Sequence, residues 1–229
     1  MISAEKISKI YNKNKPNELK AIKEIDLHIE KGEFCTIIGK SGSGKTTLLK
    51  CLSGIERISD GQILVDNVDI NKMSSNEISS FRKSKIGFVF QEYNLIDDLT
   101  LHENIYLDNK ASCDIEDLID LWDIRKAIDL FPSQCSGGQQ QKAAILRAIV
   151  RNVDILFCDE PTGALDGLSS KEVLTVMQDL QKNYKTTIVL ITHNELITKI
   201  SDTIITIHNG DIRKYEKNSK VEKAENIEW

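Results

Sequence analysis

A chain of 229 residues, 40% hydrophobic and 28% charged, is long enough for a full core, and we expect one α/β domain with a smaller lobe. Its net charge of −5 argues against non-specific nucleic-acid binding, which requires phosphates to be neutralised, although a local basic patch stays compatible with it. The longest apolar runs, around Ile155 to Cys158 and Ile188 to Ile191, are too short to cross a bilayer, and the first residues lack the apolar region of a signal peptide.

The N-terminal third begins with two segments that loosely alternate apolar and polar residues, Ile2 to Tyr11 and Leu19 to Ile29. This pattern predicts a hairpin at the edge of the domain. Tyr11 lies near its turn. The residue could stack on a purine or be an ordinary half-buried strand aromatic, and spacing alone does not decide between the two.

A glycine-rich stretch follows the apolar run Phe34 to Ile38, which reads as a buried strand, and leads into a predicted helix from Thr46 to Leu52. Glycines at such a turn allow positive φ and close backbone approach, so that N–H groups and the helix dipole converge on anionic oxygens. Strand, spacing, Lys-Thr pair and helix together favour a P-loop over a flexible Gly/Ser turn, with Lys45 directed to the β- and γ-phosphates and Thr46 to Mg²⁺. The residues of the predicted loop are Gly39, Lys40, Ser41, Gly42, Ser43, Gly44, Lys45, Thr46 and Thr47.

The next predicted elements are a short hairpin over Gln62 to Ile70, a surface helix over Ser74 to Lys85 capped by Ser74 or Ser75, and a strand over Ile86 to Phe90. Gln91 comes directly after that strand. Its amide could contact Mg²⁺ or the attacking water, or it could be an ordinary loop amide.

A helical lobe is predicted over residues 92–135, where Leu, Ile and acidic residues recur at helical spacing in Leu101 to Leu107, Ile115 to Trp122 and Ile124 to Leu130. Pro132 closes the lobe. Ser136, Gly137, Gly138 and Gln139 then precede a long helix from about Gln139 to Val150, which is a second phosphate-binding design of small residues at a helix start. Because two distant loops of one subunit cannot plausibly wrap one triphosphate, a partner subunit could supply the second loop.

Two further strands are predicted to end in polar residues, which indicates a parallel sheet with its ligand at the carboxyl edge. The first, from Ile155, delivers Asp159, placed to hold Mg²⁺ through water, and Glu160, the candidate general base. The second, Thr186 to Thr192, ends at His193, which could bind the γ-phosphate and hold the water. The alternatives are a solvated strand end for the carboxylates and a structural role for the histidine.

Taken in chain order, these motifs resemble the ATP-binding cassette (ABC) ATPases of transporters. Tyr11 resembles the adenine-stacking aromatic, residues 39–47 the Walker A loop, Gln91 the Q-loop, residues 135–139 the signature, and residues 155–160 the Walker B motif. Residues 164–166 resemble the D-loop, which includes Asp166, and His193 the H-loop. The likeness covers residues 1–215. Gly87 to Gln91, Asn94 to Ile96 and Glu160 to Asp166 are similar to the subgroup of lipoprotein-release, macrolide-export and antimicrobial-peptide-resistance ATPases.

The resemblance implies a P-loop NTPase with a mainly parallel sheet core, an N-terminal antiparallel β subdomain and an inserted helical lobe. It also implies ATP and Mg²⁺ as ligands, a head-to-tail dimer with two ATP molecules between the copies, and a membrane permease as partner, with no nucleic acid. We expect the core to comprise residues 1–91 and 136–215, the lobe residues 92–135, and a solvated tail residues 216–229. The expected location is cytoplasmic, on the inner face of the membrane through the permease.

Four features depart from the family pattern: Cys135 stands in place of leucine, Lys142 in place of arginine, Asn194 in place of an acidic residue, and the lobe is about fifteen residues short. Because the phosphate-facing Ser and Gly residues are kept, we expect activity to survive. Two alternatives stay open, namely a cassette ATPase that acts on nucleic acid or ribosomes, and a nucleotide-gated subunit that regulates a partner without pumping.

The five cysteines are scattered and odd in number, and no C-x-x-C spacing occurs. This pattern predicts reduced thiols in a cytosolic protein instead of a zinc site or a disulfide framework. The cysteines are Cys35, Cys51, Cys113, Cys135 and Cys158.

Overall fold

The computed structural model describes residues 2–107 and 115–228. The strands are β1 (Ile2–Tyr11), β2 (Leu19–Ile29), β3 (Phe34–Ile38), β4 (Asp60–Val65), β5 (Val68–Asp69), β6 (Ile86–Phe90), β7 (Ile155–Asp159), β8 (Thr187–Thr192), β9 (Thr203–His208) and β10 (Asp211–Lys217). The α-helices are α1 (Lys45–Leu52), α2 (Ser75–Lys85), α3 (Leu101–Ile105), α4 (Glu116–Leu121), α5 (Gly137–Ile149) and α6 (Gly167–Tyr184).

A six-stranded sheet with the order β10-β9-β3-β8-β7-β6 forms the centre of the fold. All its strands run parallel except β10, which pairs antiparallel with β9. Strands β3, β7 and β8 are almost wholly buried, as expected for a parallel sheet covered on both faces. The register pairs Ile38 with Thr192 and Phe90 with Asp159. The four loops that follow β3, β6, β7 and β8 therefore leave the sheet at one edge.

The N-terminal residues form the antiparallel subdomain that the alternating pattern predicted. Its sheet has the order β2-β1-β4-β5, and the β1–β2 and β4–β5 hairpins are both confirmed. Its inward-facing side chains share a core with α1 and one face of the parallel sheet. Helix α2 is capped by Ser74, whose hydroxyl accepts from the Glu77 N–H in a capping box, as expected from the sequence.

The lobe contains less helix than predicted. The first two predicted segments become the short helices α3 and α4, while the third keeps only a 3₁₀ turn at Arg125–Ala127. Asp123, with a left-handed φ of 52°, ends α4 before this segment. The segment's own hydrogen bonds span three residues, from the Ala127 N–H to the Ile124 carbonyl and from the Leu130 N–H to the Ala127 carbonyl, which is the 3₁₀ pattern. The stretch 108–114, with Cys113 in it, lies outside the described residues. The other four cysteines are free thiols.

The C-terminal segment corrects the expectation of a solvated tail over residues 216–229. Strand β10 runs to Lys217, and the chain after it packs along α6: the Gln178 side chain donates to the Glu222 carbonyl at 2.8 Å and accepts from the Ala224 N–H at 2.8 Å. Ala224 and Ile227 are buried in the core beside α6. The segment is highly charged, so its sequence predicted exposure. Two buried side chains three positions apart are nevertheless enough to hold this short segment, which we call the C-terminal strap, against the core.

None of the helices within residues 2–107 and 115–228 combines the length and the apolar character that a membrane span requires.

Candidate nucleotide site

A cleft of about 1260 Å³ opens at the carboxyl edge of the parallel sheet. It brings together side chains that are far apart in the sequence, from the loops after β3, β6, β7 and β8 and from the antiparallel subdomain. The predicted site residues that line it are Tyr11, Lys40, Ser41, Gly42, Ser43, Gly44, Lys45, Thr46, Thr47, Gln91, Asp159, Glu160 and His193. The register of the sheet explains this convergence.

The glycine-rich loop is shaped by two close approaches. A side chain at Gly39 would place its Cβ 2.3 Å from the Ile207 carbonyl oxygen, and Gly44, with φ of 104°, would place one 2.6 Å from the Ala21 carbonyl oxygen. Only glycine fits both positions. The buried Lys45 ammonium donates to the Gly39 carbonyl at 2.7 Å and the Lys40 carbonyl at 3.2 Å. It therefore braces the loop at the N-terminus of α1, where free N–H groups and the helix dipole favour an anion.

An oxygen-rich group lies beside this loop. The half-buried Asp159 at the end of β7 is hydrogen-bonded to the Thr46 side chain. Burial raises the pKa of the Asp159 carboxyl above its usual range, the bond from Thr46 opposes this effect, and the neighbouring Glu160 charge adds to it. A carboxylate and a hydroxyl both offer oxygen ligands, which suit a hard cation such as Mg²⁺.

Glu160 is held by two neighbours from the end of β8. The Thr192 hydroxyl donates to its Oε2 at 2.9 Å, and His193 Nδ1 lies 3.0 Å from its Oε1. The residue has a left-handed φ of 49°, and its N–H donates to the Ile191 carbonyl. The Glu160 side chain is 17% exposed and that of His193 72% exposed. This geometry aims a pre-oriented carboxylate at the cleft, with an exposed imidazole above it.

Gln91 and Tyr11 also line the cleft. Gln91 is exposed, and its amide lies close enough to Gly163 that a Cβ there would approach Nε2 to 3.2 Å. The Tyr11 ring is half-buried, and the Lys9 ammonium lies 4.9 Å from its centroid, within cation–π range. Both alternatives for Tyr11, a cleft aromatic and a half-buried strand residue, therefore describe the same position.

The residues of the second phosphate-binding design do not line this cleft. The exposed Ser136 caps α5: its hydroxyl accepts from the Gln139 N–H at 3.3 Å, and the Gln139 side chain accepts from the Ser136 N–H at 2.9 Å. Gly138 is buried against α6, where a Cβ would approach that of Ser169 to 3.2 Å. Asp166 is exposed and caps α6, accepting from the Ser169 N–H and hydroxyl at 2.9 and 2.8 Å. These hydrogen bonds hold the pKa of the Asp166 carboxyl below its usual range.

Sequence reasoning missed one part of the site, the turn between β9 and β10. Asn209 and Gly210 line the cleft, and the Gly210 N–H donates to the Ser43 carbonyl at 2.9 Å, which ties the turn to the glycine-rich loop. Both residues have positive φ, 50° and 79°. An Asn-Gly pair between two apolar runs is a strong hairpin signal, and it was available in the sequence. Lys20 and Lys23 on β2 also line the cleft and carried no recognisable signal.

Comparison with known proteins identifies related chains. Residues 22–163 match the family model described as ABC transporter. The chain is 39% identical over 209 residues to the putative ABC transporter ATP-binding protein MG467 of Mycoplasma genitalium, spanning 89% of this chain and 67% of that protein. It is 39% identical over 223 residues to the bacitracin export ATP-binding protein BceA of Halalkalibacterium halodurans, spanning 93% of this chain and 87% of that protein. The chain thus spans about two thirds of the Mycoplasma relative and most of the Halalkalibacterium one.

Solved structures agree with these relatives. The fold superposes with a TM-score of 0.82 on the ATP-binding cassette MJ0796 in a dimeric post-hydrolysis state bound to ADP and Pi, at 31% identity, covering 95% of this chain and 98% of that one. It superposes with a TM-score of 0.84 on CbiO1 from Clostridium perfringens, part of the transporter complex CbiONQ, at 26% identity over 94% and 88% of the two chains.

Proposed function

The chain belongs to the ABC transporter ATPase family, and from this premise we propose which of its residues bind ATP, which cleave it, and what the cleavage drives. The observation that carries the proposal is the convergence of the Lys45 loop, Asp159, Glu160 and His193 on one cleft.

The glycine-rich loop fits the polyphosphate of ATP. An ammonium group has three N–H donors, and the hydrogen bonds to Gly39 and Lys40 use two of them, which leaves one for a phosphate oxygen. The N–H groups at the start of α1 supply further donors. We assign Tyr11, which lines the same cleft, to the adenine ring, against which its half-buried ring can stack.

The oxygen donors beside the loop fit Mg²⁺. Thr46 and Asp159 would hold the ion, with Gln91 as a further ligand from the edge of the cleft. When bound, Mg²⁺ neutralises charge on the β- and γ-phosphate oxygens. The ion would also offset the burial that raises the Asp159 pKa, because a cation favours the charged carboxylate.

Hydrolysis needs a base for the attacking water, and Glu160 meets the requirement. Its carboxylate accepts the proton as the water oxygen bonds to the γ-phosphorus and the bond from that phosphorus to the ADP oxygen breaks. Thr192 and His193 keep the carboxylate in one orientation, so little reorganisation is needed at the moment of reaction. The exposed ring of His193 faces the cleft, where it would contact the γ-phosphate.

A second copy of the chain would complete each site. Ser136, with the N–H groups of Gly137 and Gly138 in the first turn of α5, would form an anion site outside the cleft of its own chain. A head-to-tail homodimer would bring this site, with Asp166 beside it, onto the ATP of the other copy. The dimeric state of the similar cassette MJ0796 supports this arrangement.

Mixing two defective chains tests the shared site. Lys45→Ala removes the loop lysine and Ser136→Arg blocks the helix start, so each homodimer should be inactive. A mixed dimer has one site with both defects and one site with neither, and random pairing should restore about a quarter of the native ATP turnover. A site built within one chain predicts no recovery, since every chain then carries a defect. Two chains that both carry Lys45→Ala are the control.

The dimer would drive a membrane permease from the cytoplasmic face of the membrane. We divide the chain into a core of residues 1–91 and 136–215 and a lobe of residues 92–135, whose junction near Gln91 would receive the permease. The name of the BceA relative supports export or peptide resistance as the transport function. Neither the family match nor the named relatives favour the alternative of an ATPase acting on nucleic acid or ribosomes.

Isolation of the tagged chain from membranes tests the permease proposal. We expect an integral membrane protein to co-purify, and we expect ATP turnover to change when the pair is reconstituted in lipid. Recovery with nucleic acid or ribosomes and without a membrane protein would contradict the proposal, and a phosphate-release assay on the reconstituted pair would identify a regulatory subunit that does not hydrolyse ATP.

A further inference from the structure

Helix α5 contacts the backbone on both sides of Gln91. On one side, the Gln141 side-chain amide donates to the Phe90 carbonyl at 3.3 Å. On the other, the Arg147 guanidinium donates to the Tyr93 carbonyl at 2.9 Å and to the Asn94 carbonyl at 2.5 Å. One rigid element therefore fixes the residues immediately before and shortly after Gln91.

A third contact lies at the beginning of the same helix. A Cβ at Gly137 would approach the Tyr93 hydroxyl to 2.6 Å, so the phenol rests on the first residue of α5. The glycine permits this approach, because a larger residue would displace the ring. The segment after Gln91 thus touches α5 at its first residue and again ten residues later, about 15 Å along the axis.

The two side chains of α5 that make these contacts differ in exposure, since Gln141 is buried and Arg147 is partly buried. Gln141 has no exposed surface, and its Oε1 has no hydrogen-bond partner in the described part of the chain, so the side chain gives up solvation to reach Phe90. Burial also lowers the pKa of the Arg147 guanidinium. The forked guanidinium reaches two successive carbonyls of a turn in which Asn94 has a left-handed φ of 51°.

We propose that Arg147 is a positioning residue for Gln91, acting with Gln141 so that helix α5 sets where the Gln91 amide lies in the cleft. The inference rests on the proposed function, because it takes Gln91 as a ligand of the metal or the water. Helix α5 would then have two roles. Its N-terminus, capped by Ser136, would face a second copy of the chain, and its side would position an amide in the cleft of its own chain.

A double-mutant cycle tests this inference on the full chain. Arg147→Lys keeps the charge but loses the fork, so one carbonyl is released. We expect kcat to fall about tenfold, because small displacements of a positioned group cost one to two orders of magnitude in rate. ATP affinity should stay within about twofold of native, since the Lys45 loop is untouched. In a Gln91→Ala background the same substitution should cause no further loss, because the group that it positions is gone.

Two variants separate positioning from general damage. Arg125→Lys makes the same chemical change in the lobe, at an exposed ion pair with Glu116 and Asp120, and should leave kcat unchanged. Gln141→Met keeps the volume, removes the unpaired oxygen and breaks only the Phe90 contact, so it should lower kcat with little change in the melting temperature and should likewise add nothing to Gln91→Ala.

The outcomes are distinguishable. If Gln91→Ala lowers kcat but Arg147→Lys lowers it further by the same factor in either background, Arg147 is structural and the inference is overturned. Native kcat in Arg147→Lys overturns it as well. If Gln91→Ala itself retains native kcat at saturating Mg²⁺, the proposed role of Gln91 is wrong, and the inference falls with it.

Discussion

Glu160→Gln tests the assignment of the base while preserving the shape of the site. Glutamine has almost the same volume as glutamate and still offers an acceptor oxygen, so either Thr192 or His193 can keep its hydrogen bond. What it loses is the ability to take a proton. General-base catalysis contributes about 10²- to 10⁴-fold, so we expect kcat to fall by that factor, which raises the barrier by about 3–5 kcal/mol.

Nucleotide binding should separate from turnover in this variant. Phosphate binding depends on the loop around Lys45, and the Glu160 side chain takes no part in bracing that loop. We therefore expect ATP affinity within about twofold of native and accumulation of an ATP-bound dimer, measured by fluorescent-nucleotide titration and by light scattering with ATP and Mg²⁺.

The matched control is Glu195→Gln, which makes the same change on an exposed carboxylate two residues beyond His193. It should keep native turnover. If Glu160→Gln hydrolysed ATP within about fivefold of the native rate, another group would have to be the base. The contacts of Glu160 with Thr192 and His193 would then contribute only to the structure of the site.

Three other measurements follow from the structure. Lys45→Ala should weaken ATP binding at least about tenfold, since it removes a charge that braces the loop and faces the phosphates, and native affinity would contradict the phosphate assignment. Mg²⁺ affinity should decrease as pH is lowered through the Asp159 pKa, because only the charged carboxylate binds the ion. Burial raises this pKa, so the decrease should begin at a higher pH than for an ordinary aspartate. The pH dependence should vanish in Asp159→Asn. Ile227→Ala should lower the free energy of unfolding, measured in urea, by about 2–4 kcal/mol, because Ile227 is buried. Val221→Ala, at an exposed position of the same strap, should lower it by under about 0.5 kcal/mol. Equal small effects of the two substitutions would mean that the segment is a solvated tail.

The position of the site was predictable because it depends on strand ends. In a parallel sheet every carboxyl end lies at the same edge, so a polar residue after each apolar run is enough to place it. Gln91, Asp159 and His193 were assigned in this way, and the register of β6, β7 and β8 brings them into one cleft.

The lobe and the C-terminal segment were harder to predict because a few local contacts decide them. Helical spacing over 124–130 predicted a helix, but the hydrogen bonds of this segment span three residues instead of four, so only a 3₁₀ turn forms. The sequence after Lys217 is mostly polar, yet Ile227 has no exposed surface. The Gln178 side chain of α6 accepts a hydrogen bond from the Ala224 N–H. Periodicity averages over many residues, so an anchor of one or two side chains is invisible to it.

The segment from Ser136 to Gln139, which we propose as an anion site, also has a packing role. Gly138 was predicted to face a phosphate, and in the structure it also packs tightly against α6, because a Cβ there would lie 3.2 Å from the Ser169 Cβ and 3.3 Å from its Oγ. The capping box uses the N–H groups of Ser136 and Gln139 internally. The donors left for an anion are therefore the Ser136 hydroxyl, whose oxygen only accepts in the cap, and the N–H groups of Gly137 and Gly138. Gly138→Ala should accordingly weaken the α5–α6 contact before it affects any ligand, so its effect on dimer formation would follow its effect on stability, whereas Ser136→Ala should lower dimer formation with a stability cost of only about 1 kcal/mol.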